Sequence, residues 1–478
     1  MEENYRPAPV FADLGQNDGA PFCDVVTPAS FPKHIVRYRN QRWADAVGLG
    51  DLDEETWIAH FGRFEPLPQN LSQPLALRYH GHQFRSYNPE IGDGRGFLFA
   101  QLRDGAGRLL DLGTKGSGQT PYSRFGDGRL TLKGGVREIL ATEMLEALGV
   151  YTSKTFSLIE TGEALERQDE PSPTRSAVMV RLSHSHVRFG AFQRLAYEEN
   201  KDAIVRLIDY CIAHFYPDLS ELEGDARIVA FYRAVVGKTA RLVAEWLAAG
   251  FVHGVLNTDN MNVTGESFDY GPWRFAPTAA ADFTAAYFDQ TGLYAFGRQP
   301  EAGAWNLAQF GGALSRAVEP ETLNEALQEY SKLYEEAMAN AYFRRLGVKR
   351  TGNTDDFAFV GDLLGWMAAT GVSYEQVFFD WFGGAASTAR AEASRIAERY
   401  AQERFAPIKA RLMAFTPVAP ERLTHAYFSK PRPCTMLLNE VEDIWTPIAE
   451  SDDWRVFEEK LKAIAEMRDA FGFDIHDR

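Results

Sequence analysis

The chain has 478 residues, 45% hydrophobic and 24% charged, the balance of an ordinary globular protein, which excludes disordered and fibrous classes. At roughly 100–200 residues per domain, this length suggests two or three domains. Lys plus Arg number 50 and Asp plus Glu 66, a formal charge of −16; so acidic a surface repels phosphate backbones and argues against general nucleic-acid binding, while basic residues gathered in one cleft would still take a small anion.

Residues 1–74 carry Pro7, Pro9, Pro28, Pro32, Pro66 and Pro68, which break any long element and predict an irregular extension wrapped on the core. Residues 75–200 read as a mixed sheet with at least one helix. GDGRGFLFAQL from position 92 and GRLLDLGTKGSG are strand-like runs joined through Asp104-Gly105, the pattern of a β-hairpin. Over 136–149, Val136, Ile139, Leu140, Met144 and Leu148 recur at helical spacing, with Gly149 as the stop. Strand-like runs follow at 155–161 and 176–182. From 201 to 478 the spacing turns helical, at 202–215, 226–249, 319–345, 354–370 and 387–412. A polar, glycine-marked stretch with short hairpins, 251–275, interrupts these helices. Strands followed by helices predict an α+β class with two lobes, and the cleft between them is where a ligand belongs.

The chemistry-bearing residues follow one order along this plan. Gly92-Asp93-Gly94-Arg95-Gly96 precedes the first strand, where glycine permits positive φ and close approach to a bound group. Lys115 ends the next strand, and Glu138 lies in the helix 23 residues on. A strand Lys facing a helix Glu is how a protein kinase sets an ammonium against nucleotide phosphates. His253 and Asn260 have the seven-residue separation of the kinase catalytic loop, and Asp269-Tyr270-Gly271 stands where its metal-binding D-F-G would follow. An amide and a carboxylate there are hard oxygen ligands for Mg²⁺. One position breaks the pattern: the residue two after the His is Val255, which cannot accept a proton. The nearest other carboxylate is Asp259.

The strings YHGHQF, GDGRG, TKGSGQTPYSRFGDGR, VREILATEMLEALGV, MVRLSHSHVRFGAF, HGVLNTDNMN and DYGPW resemble the selenoprotein O family of pseudokinases, from about residue 20 to about residue 345. The resemblance implies a two-lobed protein kinase-like fold that binds ATP in inverted orientation. It further implies transfer of AMP, not phosphate, to Ser, Thr or Tyr hydroxyls of protein substrates, with Mg²⁺ or Mn²⁺ and release of pyrophosphate. Nucleotide-binding positions implied in this way are Gly92, Gly94, Arg95, Lys115, Asp127, Gly128, Arg181, Arg188 and Asp269, with Glu138 as the ion-pair partner of Lys115. Asp259 is implied as proton acceptor, and Asn260 and Asp269 as metal ligands. After about residue 405 the resemblance is loose, and no Cys stands close to the C-terminus, where some members carry selenocysteine. Two other readings are a true kinase moving the γ-phosphate, disfavoured by Val255, and a silent nucleotide-binding scaffold, disfavoured by Asn260 and Asp269.

Other features read as structural. VGKTA at 236–240 lacks the first glycine of a P-loop, the position being Tyr232. His80 with His82, and His184 with His186, have i,i+2 spacing but no ligand fixed beside them. Cys23, Cys211 and Cys434 are too few and scattered for a metal knuckle or disulfide framework, and Cys434 reads as a packing thiol. MEENYRPAPV has no basic region followed by an apolar run, and no stretch reaches the ~18 apolar residues of a membrane span. A cytoplasmic monomer with protein substrates and no membrane or nucleic-acid partner is expected.

Overall fold

The computed structural model describes residues 4–15, 22–352 and 355–473. Its main sheet is built from β1 (Cys23–Val25), β2 (Ile35–Arg39), β3 (Leu75–Leu77), β6 (Leu98–Arg103), β7 (Leu109–Lys115), β8 (Leu130–Thr131), β9 (Lys154–Leu165) and β10 (Thr174–Ser183). Two further pairs are β4 (Gly81–Gln83) with β5 (Ser86–Asn88), and β11 (Phe251–Val252) with β12 (Arg274–Phe275). The sheet order is β1-β3-β6-β7-β10-β9-β2, with β8 on β10. Every described strand pair is antiparallel. The expectation of a mixed sheet is thereby corrected: β6–β7 and β9–β10 are joined by short turns, which return the chain antiparallel, and no long crossover feeds a parallel neighbour.

Alternation along the strands gives the sheet two apolar faces. Ala177 and Met179 of β10 and Leu158 of β9 join Leu132, Val136, Ile139 and Leu140 of the helix Leu132–Ala147 in one core. Val178, Val180 and Phe156 point the other way, into a second core with Trp43, Trp57 and Phe61. Those aromatics come from helices Gln41–Ala46 and Glu54–Phe61. The segment expected as an irregular wrapping therefore covers one sheet face and adds β1 and β2 as edge strands.

The helix expected from 136 starts at Leu132. Its cap is Thr131, whose hydroxyl accepts the Gly134 N–H at 3.1 Å. Gly149, at φ +80°, follows its C-terminus. In the helical part, Gly224–Ala248 packs against Gln299–Leu314 and Tyr330–Arg345. The helix expected over 319–345 is two, Pro320–Gln328 and Tyr330–Arg345, and that over 354–370 is Asp355–Thr370, residue 354 lying outside the described residues. The helix expected over 387–412 is broken into short turns before Ala406–Ala414. There the Ser387 hydroxyl bonds the Phe382 carbonyl and the Ser394 hydroxyl accepts the Ile396 N–H at 3.3 Å, local bonds that compete with the helix ladder. Among the described residues no helix is long and apolar enough to cross a membrane.

Candidate functional site

Lys115 ends β7 and pairs across the ladder with Met179, two residues before Arg181 on β10. Period-two alternation therefore sets Lys115 and Arg181 on the face covered by the helix Leu132–Ala147. The Lys115 ammonium bonds the Glu138 carboxylate of that helix, with both side chains buried. Asp269 completes the group. At φ +63°, a left-handed conformation uncommon without a glycine, it holds one carboxylate oxygen 3.0 Å from Lys115 Nζ and 3.2 Å from Arg181 Nη1. Its other oxygen is 3.4 Å from Arg188 Nη1. Burial opposes ionisation of Asp269, but Lys115, Arg181, Arg188 and Arg95 outweigh it and hold the carboxyl well below its ordinary range.

Arg188 stands at the N-terminus of helix Phe189–Tyr197, bridged through its backbone to Asn262. Its guanidinium donates to the Asp259 carbonyl at 2.9 Å, faces Asp93 Oδ1 at 3.4 Å and lies 4.5 and 4.9 Å from the rings of Tyr79 and Phe268. Asp93 was missed in the sequence. It is buried, pairs Arg188 and accepts the Leu77 N–H at 3.1 Å. The signal was the repeat of GDGR, since Asp93 and Asp127 occupy the same place in the two copies.

None of Gly92, Gly94 and Gly96 has positive φ, contrary to the reason first given for them. Close approach to protein atoms requires them: a Cβ would lie 2.5 Å from the Tyr122 ring at Gly92, 2.8 Å from the Tyr122 carbonyl oxygen at Gly94 and 2.1 Å from the Thr114 carbonyl oxygen at Gly96.

The turn Thr258–Asn260 carries Asp259, whose Oδ1 is buried without a hydrogen-bond partner. The backbone of β4 lies against it, a Cβ at Gly81 falling 2.8 Å from that oxygen. Burial raises the Asp259 carboxyl to about 6, against the lowering effect of Arg188. Asn260 donates from Nδ2 to the Val255 carbonyl at 2.9 Å. His253 is fully buried, donates from Nε2 to the Phe268 carbonyl at 3.0 Å and thereby braces the loop.

A cavity of about 630 Å³ gathers Gly92, Gly94, Arg95, Lys115, Asp127, Gly128, Arg181, Arg188, Asp259 and Asp269 on its walls. Glu138 and Asn260 are not on them. Arg124, Arg129 and Arg167 also line it, giving seven cations against five carboxylates, a local excess of positive charge in an acidic chain and a setting for an anion. Asp127 is tied to Arg167 at 2.9 and 3.2 Å.

The remaining polar candidates have partners elsewhere. His80 bonds Tyr87 at 2.8 Å, His82 bonds Gln193 at 2.9 Å, His184 bonds Tyr151 at 2.6 Å and His186 lies 3.3 Å from Asp111. VGKTA is interior to helix Gly224–Ala248. All three Cys are free thiols, and burial pushes Cys434 up to about 11. Among the described residues no group of three or more His, Cys, Asp or Glu could hold a metal ion.

Comparison with known proteins adds the family. The family model described as protein adenylyltransferase SelO matches residues 8–465, past the stretch where the sequence resemblance loosens. The protein nucleotidyltransferase YdiU of Synechocystis sp. is 43% identical over 475 residues, 96% of this chain and 98% of the relative. That of Gloeobacter violaceus is 43% identical over 470 residues, 96% and 94% of the two chains. That of Pseudomonas putida is 41% identical over 307 residues, 64% and 62%. Matched over nearly its whole length, the chain belongs to the SelO family of protein adenylyltransferases.

Proposed function

We propose that this nucleotidyltransferase binds ATP with the β- and γ-phosphates innermost, inverted relative to a protein kinase, and moves AMP to a Ser, Thr or Tyr hydroxyl of a protein. Residues 75–200, joined by the edge strands β1 and β2, form the sheet lobe and residues 201–478 the helical lobe of a kinase-like arrangement. Lys115 and Arg181 then come from the first, Asp259 and Asp269 from the second. The observation that carries the orientation is the convergence of buried Lys115, Arg181 and Arg188 on Asp269. Such a cluster suits the most highly charged end of the nucleotide.

With the terminal phosphates there, the α-phosphorus faces Asp259. The acceptor oxygen bonds to the α-phosphorus as the bond from that phosphorus to the bridging oxygen of the β-phosphate breaks, and pyrophosphate leaves. The hydroxyl proton passes to Asp259 Oδ1, which is buried and has no other hydrogen-bond partner. Asp269, held anionic on the cavity wall, and the side-chain oxygen of Asn260, just behind that wall, are hard donors that would hold Mg²⁺ or Mn²⁺. A bound ion supplies charge neutralisation for the leaving pyrophosphate. Val255 offers no base for the kinase alternative.

Titration calorimetry tests the orientation. Lys115→Ala and Arg188→Ala should each weaken ATP binding by about 10-fold or more, the worth of a charge-assisted hydrogen bond, and weaken AMP binding far less. Equal losses for the two nucleotides would place these cations away from the terminal phosphates.

A further inference from the structure

The hairpin packed on Asp259 carries a feature that nucleotide chemistry does not use. In the β4–β5 hairpin, Gln83 pairs with Ser86, so Phe84 and Arg85 form a two-residue loop. Their φ values are +48° and +65°. Two positive φ values in succession are what a primed hairpin turn demands, and Asn-Gly is the pair that accepts them; Phe and Arg are strained there.

The surroundings hold that strain in place. The Phe84 N–H donates to Asn257 Oδ1 at 3.0 Å, and that oxygen also accepts the Tyr294 hydroxyl at 3.0 Å. Arg85 reaches Glu301 at 2.7 Å and lies over the Trp305 ring at 5.5 Å. The Phe84 ring packs 5.8 Å from Phe288 and 5.0 Å from Tyr294, and Tyr287 lies 5.1 Å from Phe288. Even so, Phe84 is 37% exposed, Phe288 47% and Tyr287 79%. The same hairpin lays the Gly81 backbone on Asp259 and gives Gln83 to the cavity wall. A strained turn thus spreads aromatic surface outside the cavity wall, on the hairpin whose Gly81 backbone touches the carboxylate assigned the proton. Arg85 and Arg298 both pair with Glu301, so the charges beside the patch are engaged with one another and the three rings offer apolar contact.

We propose that Phe84, Tyr287 and Phe288 form the docking surface for the acceptor protein and select an apolar side chain next to the acceptor hydroxyl. This rests on the reading of the adjoining cavity as the transfer site. The occupant must be the acceptor, because its hydroxyl has to reach Asp259 and the hairpin that covers Asp259 is the one that carries Phe84. An apolar neighbour of the hydroxyl then desolvates the three rings as it seats.

The test uses synthetic peptides with a single Tyr flanked by Leu, Ser, Asp or Lys, incubated with ATP labelled at the α- or, separately, the γ-position. The parent protein should favour Leu-flanked over Asp-flanked peptide by about 10-fold or more in kcat/KM, as an apolar subsite does. Phe84→Asn with Arg85→Gly, and separately Tyr287→Ser with Phe288→Ser, should abolish that preference. Each pair should raise KM for the Leu-flanked peptide about 10-fold, with kcat and ATP affinity little changed, as loss of uniform binding requires. The Asn-Gly pair suits this turn better than the native pair, so its melting temperature should equal or exceed the parent's. A parent without apolar preference, or variants that keep it, would overturn the docking surface. Label moving only from the γ-position, with the apolar preference intact, would overturn the AMP reading and leave the docking surface standing.

Discussion

Replacing Asp269 by Asn separates the two jobs assigned to its carboxylate. Without ligand, that carboxylate balances three buried cations at 3.0–3.4 Å. Lys115 keeps Glu138 and Arg188 keeps Asp93, whereas Arg181 loses its one ion pair among the described residues. Removing one partner of a buried pair costs about 3–5 kcal/mol, and the low end applies because the Asp269 side chain is 25% exposed. At about 2.1 cal/mol/K per residue, the unfolding entropy of the 478 residues is roughly 1 kcal/mol/K, so a loss of about 3 kcal/mol lowers Tm by about 3 °C. ATP supplies the missing negative charge. A unit charge removed about 5 Å from a phosphate is worth about 3 kcal/mol at an effective dielectric near 20, and after solvent screening about 10-fold in affinity. Titrated in EDTA, Asp269→Asn should therefore bind ATP about 10-fold more tightly than the parent. In Mn²⁺ it should gain nothing further, and AMP transfer should fall by more than about 10²-fold. A variant that binds ATP no better in EDTA and responds to Mn²⁺ like the parent would refute the placement of Asp269 between phosphates and metal.

Asp259→Asn keeps the shape of the turn and should leave ATP affinity and its Mn²⁺ dependence intact while lowering AMP transfer by roughly 10²–10⁴-fold, the range for loss of a general base; transfer at the parental rate would remove Asp259 from the reaction. Stability should depend on pH through His184, which burial, with Arg108 and Lys238, pushes down to about 4. Unfolded, this imidazole titrates near 6.5, so between pH 6.5 and 4 the unfolded chain binds a proton that the folded chain does not, and stability falls by up to about 3 kcal/mol as pH drops through that window. Melting curves at pH 7 and 4.5 should show a smaller acid loss for His184→Gln than for the parent, and parallel losses would contradict this.

The chain order of the chemistry was legible because each piece is a local pattern. A glycine loop, a strand ending in Lys115, a helix bearing Glu138, and the spacings of Asn260 and Asp269 all survive in one dimension. Pairings set by tertiary contact were not legible. β1 has only three residues, and β2 sits in a proline-broken stretch without strong alternation, so nothing in 1–74 announced sheet edges. The glycines of GDGRG line the cavity, but not through positive φ: φ is not readable from sequence, and the crowding by Tyr122 and Thr114 comes from residues 18 to 30 positions away. Asp93 carries no local sign of its role because its partner, Arg188, is 95 residues distant. The Phe84-Arg85 turn was invisible for the opposite reason: its residues contradict the turn they adopt, and contacts to Asn257 and Glu301 hold it.

Labelled ATP distinguishes transfer of AMP from transfer of phosphate. One preparation of the protein, with Mg²⁺ or Mn²⁺ and a protein acceptor, is incubated in parallel with ATP carrying the label on the α- or the γ-phosphorus, and protein-bound label is counted after denaturation. Transfer of AMP requires label from the α-position to become covalently attached, none from the γ-position, and a mass increase of the acceptor equal to AMP. Label arriving from the γ-position alone would mean that phosphate moves, and would contradict both the inverted nucleotide and the role given to Asp259.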